Sequence, residues 1–339
     1  MSFLCITFGN FSKFRKIEKF FFSVLFISFI FSLYVGVHRL AMSSTTVLIG
    51  TITLILLIIN VSLLSNETNF IKKEISMFVL LLFLATHLPI YFVGTARIAI
   101  SKKLQDEKII KFDELILGFF FPKGQISLYL DKNNFLGPHT SIGQFINNTL
   151  QICYFFYYLI PYISMYVMLY ANCVKETIYR CLNNKKISVT YNKNWNNILF
   201  VFGVYHLTLY VVLTINSLIP AGSPRIYIKE DFYNPLTLTG FAKFLNRVCK
   251  DSKSANSFPS GHVAEPLSIA LSLLGIKWKI TGIIVLICTI LMCWATLFLR
   301  YHYFIDIVFS VLIAMGTYFI GKYFGKIDDY EGNLVEEEK

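Results

Sequence analysis

Long uninterrupted apolar runs are the feature that most constrains the fold of this 339-residue chain. A helix needs roughly 20 mainly apolar residues to cross a bilayer, and only helices or closed barrels satisfy their backbone hydrogen bonds there. The runs show no alternation of apolar and polar residues, which favours helices over barrel strands. Seven runs reach that length, at about 20–41, 46–64, 75–98, 149–171, 198–219, 280–299 and 303–322. A shorter run, Val263 to Ile276, is typical of a helix that begins in a buried position.

These runs predict an all-α, polytopic integral membrane bundle of about eight transmembrane helices, with a catalytic core of about six. The predicted domains are an N-terminal transmembrane hairpin at 1–74, a catalytic membrane domain at 75–325 and a polar acidic tail at 326–339.

The charge pattern predicts how the helices are oriented. When eight helices are threaded in order, both termini and the basic segment 172–197 fall on one side, which the Lys and Arg bias makes cytoplasmic. The loops 101–148 and 220–262 then share the extracytoplasmic face with His262 and His302. The formal net charge of +11 fits basic loops and anionic lipid better than a nucleic-acid partner.

Two observations exclude other classes of site. The seven cysteines are scattered, without a CxxC pair or metal-ligand spacing, so neither a disulfide framework nor a metal site is expected. The sequence also lacks a Gly-rich nucleotide loop with its lysine.

The first chemical motif, Pro259-Ser260-Gly261-His262, opens the run Val263 to Ile276. A helix N-terminus presents unpaired N–H groups and the positive end of the helix dipole, which favour an anion. Ser260 can cap the helix or donate a hydrogen bond, and Gly261 lets a ligand approach the backbone. His262 is placed to protonate a leaving group, although a histidine that only caps the helix gives the same pattern.

The second motif, Arg300-Tyr301-His302-Tyr303-Phe304-Ile305-Asp306, lies where two apolar runs meet. His302 and Asp306 are four residues apart and therefore share a helix face. A carboxylate on one imidazole nitrogen fixes the tautomer and makes the other nitrogen more nucleophilic; the alternative is an interfacial ion pair. Arg300 would bind phosphate through its planar set of donors, or else contact lipid headgroups.

Together the two motifs resemble those of the type 2 phosphatidic acid phosphatase superfamily, which includes vanadium haloperoxidases and sphingolipid synthases. That family carries Pro-Ser-Gly-His and, one helical hairpin later, His-x-x-x-Asp, which stand here at 259–262 and 302–306. The resemblance implies that His302 forms a phosphohistidine, that Asp306 orients it and that His262 protonates the leaving oxygen. It also implies that Ser260 and Gly261 help to bind the phosphate.

Departures from the phosphatase branch favour a transferase. That branch has an upstream Lys-x6-Arg-Pro, which this chain lacks, and an Arg six residues before the second His, where Thr296 stands. The pattern Arg-x-His-Tyr-x-x-Asp at 300–306 is more similar to the inositol phosphorylceramide synthase branch. The stretch 219–225 resembles an Arg-containing segment of that branch, so Arg225 is expected to replace the missing phosphate binder.

The expected function is transfer of a phospho-headgroup from a phospholipid donor to a lipid hydroxyl on the extracytoplasmic face. A lipid phosphate phosphatase, which uses water as the acceptor, stays a close alternative. A non-enzymatic lipid transporter would distribute polar residues along several spans, whereas this chain concentrates them at one face. No metal or other cofactor is expected, because the cations are side chains.

Three further segments have structural and functional interpretations. Glu265 can orient an acceptor hydroxyl, but an acid that simply favours the helix dipole is slightly preferred. The run Phe119-Phe120-Phe121-Pro122 is typical of an interfacial segment. Asn147-Asn148-Thr149 is a glycosylation sequon on the predicted outer face, meaningful in a eukaryotic source.

Overall fold

The computed structural model describes residues 103–165, 167–168, 188–249 and 256–325, with a short helical stretch at 16, 19–21 and 23–27. Residues 98–319 form one compact unit, and the segments 1–97 and 320–339 form another. Both chemical motifs lie in the first unit. The predicted spans 46–64 and 75–98, most of 20–41 and the tail at 326–339 lie outside the described residues.

The described part of the chain is helical, and its one isolated β-bridge joins Ala221 to Asn256. The helices are α1 (Asp106–Leu117), α2 (Ile126–Asp131), α3 (Ser141–Phe156), α4 (Ser188–Leu218), α5 (Gly240–Cys249), α6 (Gly261–Gly275), α7 (Lys279–Phe298) and α8 (Phe304–Gly325). Short helical turns lie at Pro122–Gly124, Pro224–Tyr227 and Lys229–Asp231. The predicted helical class is therefore confirmed for these residues.

Within the described ranges, three helices are long and apolar enough to cross a membrane: Asn197–Leu218, Lys279–Phe298 and Phe304–Gly325. They coincide with three of the predicted spans. Helix α6 packs against α4 and α7, and α3 packs against α5 and α7. Most side chains of α6 are buried, as expected for the short run that follows the first motif. The total of about eight spans stays a prediction.

The predicted span 149–171 is not one continuous helix. Helix α3 ends at Phe156, a turn follows at 157–159, and a new helical segment begins at 160. Proline explains the break, because Pro161 has no N–H to donate to the Tyr157 carbonyl and its ring would clash with that carbonyl. Instead, the amides of 158–160 donate to carbonyls three residues earlier. The break places Tyr157 beside the first motif, as described below.

Helix α1 is amphipathic, but it buries acidic side chains and exposes apolar ones. Its inner face buries two acids, Asp106 and Asp113, beside Ile109. Its outer face exposes Phe112, Leu115 and Ile116. The exposed apolar surface continues into Phe119 and Phe120, which are 94% and 69% exposed. An apolar outer face of this kind suits the membrane interface, in agreement with the interpretation of the phenylalanine run.

Candidate active site

The loop before α6 is held by hydrogen bonds from two other parts of the chain. The amide of Asn216, near the end of α4, donates to the carbonyls of Phe258 and Pro259 at 2.9 and 3.0 Å. The N–H of Ser257 donates to the Ala221 carbonyl at 3.0 Å. The Ser260 carbonyl then accepts the first hydrogen bonds of α6, so this loop fixes where the helix N-terminus points.

The second motif begins at a helix C-cap of the Schellman type. The N–H of Tyr301 donates to the Thr296 carbonyl, and that of Arg300 donates to the Leu297 carbonyl. Arg300 therefore adopts the left-handed conformation, with φ of 62°, at a position where glycine is usual. The reversal ends α7 and delivers His302 to the start of α8.

His302 is held by contacts at a single ring nitrogen. Its Nδ1 lies 2.8 Å from the Ser257 carbonyl oxygen and 3.2 Å from Oδ2 of Asp306. A carbonyl oxygen can only accept, so Nδ1 carries the proton and Nε2 keeps its lone pair. The same Asp306 oxygen accepts from the Ser257 hydroxyl at 2.7 Å and from the Tyr303 N–H at 3.0 Å. These bonds fix the position of the Asp306 carboxylate against the His302 ring.

His262 faces His302, and the centroids of the two rings are 5.8 Å apart. The structure thus brings together the two histidines that the sequence placed on one face. Contacts with tyrosine rings hold His262. Tyr154 stacks on it with centroids 4.1 Å apart, Tyr157 lies at 4.2 Å, and the Tyr154 hydroxyl is 3.3 Å from Nδ1.

Three buried polar atoms around this pair have no hydrogen-bond partner among the described residues. They are the Ser260 hydroxyl, Nε2 of His262 and Oδ1 of Asp306. A buried polar group without a partner costs about 1–3 kcal/mol, so native proteins keep few of them outside functional sites. Of the three, the Ser260 hydroxyl and a protonated Nε2 of His262 can donate to phosphate oxygens, as can the α6 N-terminus, whereas Oδ1 of Asp306 can only accept.

A second buried carboxylate bonds to one of the tyrosines that contact the His262 ring. Glu265 is 2% exposed and is hydrogen-bonded by the side chains of Tyr157 and Tyr205. Its Oε1 would lie 2.9 Å from a Cβ added at Gly261, so the glycine leaves room for the carboxylate. The expectation that Glu265 merely favours the helix dipole therefore omits its partners, because its bonds join α6 to α4 and to the turn that follows α3.

Arg300 packs with a set of residues beside the histidine pair. We call this set the arginine corner; its members are Asp131, Phe232, Tyr233, Asn234 and Arg300. The Arg300 guanidinium donates to Oδ1 of Asp131 at 2.9 Å and lies 3.9 Å above the Phe232 ring. Asp131 also accepts the N–H groups of Tyr233 and Asn234. Burial lowers the pKa of Arg300 to about 10, against the opposing effect of Asp131; the guanidinium therefore stays charged at neutral pH.

Arg225 lies near the arginine corner but makes different contacts. Its N–H donates to the Arg300 carbonyl at 3.1 Å. Its guanidinium covers the Tyr301 ring at 3.9 Å and donates to Oδ1 of Asn246 at 3.2 Å. Tyr301 in turn stacks on Tyr154, with centroids 4.1 Å apart. Two tyrosine rings, Tyr301 and Tyr154, therefore lie between Arg225 and His262. The contacts described here for Arg225 and Arg300 are made with residues other than the two histidines.

The acids of α1 brace the second motif. Asp113 accepts the N–H groups of Phe304 and Ile305 at 3.0 and 2.8 Å, and so caps the N-terminus of α8. Asp106 accepts the Tyr303 hydroxyl and the Gly222 N–H, each at 2.7 Å. Burial raises the pKa of each acid to about 6, although the hydrogen bonds oppose the shift.

The sequence motifs did not identify several of these residues. Asp131 and the two acids of α1 lie far from the motifs in the sequence. The one sequence feature that could have pointed to the α1 acids is that they share a helix face with the apolar Ile109. Ser257 lies two residues before the first motif, which offers no sign of its bond to Asp306. The sequon residue Asn147 is 3% exposed on the inner face of α3, which contradicts its use as a glycosylation site.

Comparisons with known proteins relate this chain to a family. Residues 188–320 match the family described as the PAP2 superfamily. A PA-phosphatase related-family protein of Dictyostelium discoideum is 31% identical over 255 residues, which cover 71% of this chain and 44% of that relative. The matched region therefore spans less than half of the relative's length. No solved structure matched the chain. The family match at 188–320 covers the segment that carries the two histidine motifs, and both matches support a relationship to the PAP2 superfamily.

Proposed function

We propose that this protein is a membrane-embedded enzyme that transfers phosphoryl groups at lipid phosphate esters through a phosphohistidine. One observation carries the proposal: His302, with its tautomer set by Ser257 and Asp306, faces His262 across a ring separation of 5.8 Å. A nucleophile and a proton donor at this spacing can flank one phosphorus atom and its leaving oxygen.

In the first step, the lone pair on Nε2 of His302 attacks phosphorus and forms an N–P bond. The bond from phosphorus to the departing lipid oxygen breaks, and protonated His262 gives its proton to that oxygen. Asp306 stabilises the positive charge that develops on the His302 ring. The phosphoryl group is left on His302, and His262 is left neutral.

In the second step, neutral His262 takes the proton from an acceptor hydroxyl. The acceptor oxygen bonds to phosphorus, the N–P bond breaks, and His302 is restored. The same residues serve whether the acceptor is a lipid hydroxyl or water, so the acceptor alone separates a transferase from a phosphatase.

The phosphate oxygens are held by the α6 N-terminus with Ser260 and Gly261 in this proposal. The Ser260 hydroxyl has no partner among the described residues and is free to donate to phosphate. Arg225 adds positive potential at longer range, which stabilises the charge on the phosphoryl oxygens, whereas the charge of Arg300 is matched by Asp131. Direct contact between Arg300 and phosphate would require its guanidinium to leave Asp131.

The proposed acceptor is a lipid hydroxyl, so the reaction is phospho-headgroup transfer of the inositolphosphotransferase type. The motif departures at Thr296 and Arg300 support this choice. The proposed site lies on the extracytoplasmic face, with both termini in the cytoplasm, on the basis of the Lys and Arg distribution.

Purified protein in mixed micelles tests the proposal. The assay supplies phosphoinositide labelled at phosphorus with ceramide, or with diacylglycerol whose acyl chains differ from those of the donor, and, separately, labelled phosphatidic acid, both with a chelator present. Label in a new lipid is the expected result and identifies the acceptor. Release of inorganic phosphate from phosphatidic acid would instead establish a phosphatase, and no turnover of either lipid would contradict the proposal.

A further inference from the structure

Helix α1 presents three different stripes of side chains. The first stripe, made of Asp106, Ile109 and Asp113, is buried against the rest of the chain. The second is apolar and exposed, and the third is charged and exposed. Spacings of three, four or seven residues place the members of each stripe on one side of a helix. The apolar stripe consists of Phe112, Leu115, Ile116 and, just beyond the helix end, Phe119; the charged stripe consists of Glu107, Lys111 and Glu114.

The buried stripe and the residue before it attach α1 to the ends of two membrane-crossing helices. At the N-terminus of α1, the N–H of Gln105 donates to the Pro220 carbonyl, and Asp106 accepts the N–H of Gly222. Both partners lie just after the end of α4. Further along α1, Asp113 accepts the N–H groups at the start of α8. Helix α1 therefore reaches from the end of one membrane-crossing helix to the start of another.

These two attachments set the direction of the α1 axis. The membrane-crossing segments Asn197–Leu218 and Phe304–Gly325 each have 22 residues. A helix of that length is about 33 Å long and matches a hydrocarbon core of about 30 Å, so the end of α4 and the start of α8 lie close to a membrane surface. With 12 residues, α1 is too short to cross the core. Both attachments therefore lie on one face of the membrane, and α1 runs along that face.

A helix that lies in the membrane surface meets protein, acyl chains and water on different sides, and the three stripes of α1 fit this arrangement. Leu115 and Phe119 are 81% and 94% exposed, which is unfavourable in water and favourable among acyl chains. The charged stripe carries the ion pair of Lys111 with Glu107, whose side chains are each 70% exposed. This stripe is therefore suited to the water side.

We propose that α1 and the turn at Phe119 and Phe120 form an in-plane membrane anchor, whose apolar stripe inserts among the acyl chains of the leaflet beside the second motif. The partner of this surface is the lipid itself. Because Asp113 holds the start of α8, the anchor also sets the depth of His302 and Asp306 relative to the lipid phosphates. This depth-setting role rests on the proposed function, whereas the anchor does not depend on it.

Photocrosslinking tests the anchor without any need for turnover. The photoreactive residue p-benzoylphenylalanine replaces Phe119 or, as the matched control, Glu114 in the full chain. The protein is reconstituted in phosphatidylcholine vesicles that contain tritiated phosphatidylcholine. Irradiation should attach several times more lipid label at Phe119 than at Glu114, because both positions are exposed but only the apolar stripe contacts acyl chains. Equal labelling, or a crosslink from Phe119 to another part of the chain in place of lipid, would overturn the anchor.

Two double variants test the depth-setting role with whichever labelled donor the wild type turns over. Phe119→Ser with Phe120→Ser should lower kcat/KM for the donor in vesicles by about tenfold or more, because two apolar side chains no longer insert. A short-chain form of the same donor, dissolved as monomers, should be used as well as by the wild type. Glu107→Ser with Glu114→Ser makes the same kind of change on the charged stripe and should alter neither value.

An equal loss on both forms of the donor would overturn the depth-setting role, because it would assign the two phenylalanines to folding alone. Full activity of the phenylalanine variant in vesicles would also overturn it. A wild-type protein that turns over neither form would contradict the proposed function and the depth-setting role with it, while the crosslinks at Phe119 would still test the anchor.

Discussion

The histidine pair and the arginine corner are joined by the same short turn, at residues 300–302, yet they treat polar groups in opposite ways. In the arginine corner, the Arg300 charge is matched by Asp131, and Asp131 also satisfies two backbone N–H groups. Around the histidine pair, Ser260, His262 and Asp306 each keep a buried polar atom without a described partner. Matched groups hold the turn in place, whereas unmatched groups are available to a ligand.

The largest expected effect comes from removing the proposed nucleophile. His302→Ala should lower turnover by at least about 10³-fold, because the proposed first step forms its N–P bond on Nε2 of His302. The thermal midpoint should fall little, since the substitution leaves the Asp306 carboxylate bonded to Ser257 and Tyr303. Turnover of labelled lipid and the unfolding midpoint in detergent are the two measurements.

His139→Ala is the control for this variant, because His139 is an exposed histidine in a loop. It should leave turnover unchanged. A His302→Ala protein that keeps more than a tenth of wild-type turnover would show that the unsatisfied site does not act through a phosphohistidine.

Substitutions in the arginine corner should lower the free energy of unfolding. Arg300→Met leaves the buried Asp131 carboxylate without its counter-charge, which costs about 3–5 kcal/mol. The double variant Arg300→Met with Asp131→Asn removes both charges and keeps an acceptor for Tyr233 and Asn234, so it should regain at least half of that loss. Denaturation of the two variants and the wild type measures the difference.

Turnover in the same double variant sharpens the comparison. If Arg300 chiefly holds the corner, turnover should return to within about threefold of wild type as stability returns. Restored stability with turnover still low would assign Arg300 to the phosphate, as the sequence predicted, and would erase the distinction between the two regions.

How much the sequence could predict differs between the same two regions. The histidine pair was predictable, because His302 and Asp306 are local neighbours on a helix and the motif at 259–262 begins the preceding hairpin. The arginine corner was not, because Asp131 reaches Arg300 across 169 positions of the chain. The break in the predicted span 149–171 was missed for a different reason, because Pro161 is visible in the sequence but was outweighed by its apolar neighbours.

The α1 acids provide a pH-dependent test of the bracing around α8. Burial raises the pKa of Asp113 to about 6 from its ordinary value of 3.8, so the folded state binds more protons than the unfolded state between these values. The contribution is therefore largest below about pH 4 and is lost as pH rises through 6, by on the order of 2–3 kcal/mol.

Asp113→Asn should remove this part of the pH dependence, so its stability should change less than that of the wild type between pH 4 and pH 7. Glu114→Gln changes an exposed acid on the same helix and should leave the wild-type slope intact. Unfolding midpoints across the pH range give the slopes. Identical slopes for Asp113→Asn and the wild type would mean that Asp113 is ionised throughout.

The smallest effect concerns how His262 is held. Tyr157 and Tyr205 both hydrogen-bond to Glu265, but the Tyr157 ring also lies 4.2 Å from that of His262. Replacing either with Leu removes one bond to the carboxylate and a set of ring contacts, but only Tyr157→Leu removes a contact with the His262 ring. Since such a contact contributes about 0.5–1.5 kcal/mol, Tyr157→Leu should lower kcat up to about tenfold further than Tyr205→Leu. Equal kcat values would mean that Glu265, rather than ring packing, positions the proton donor.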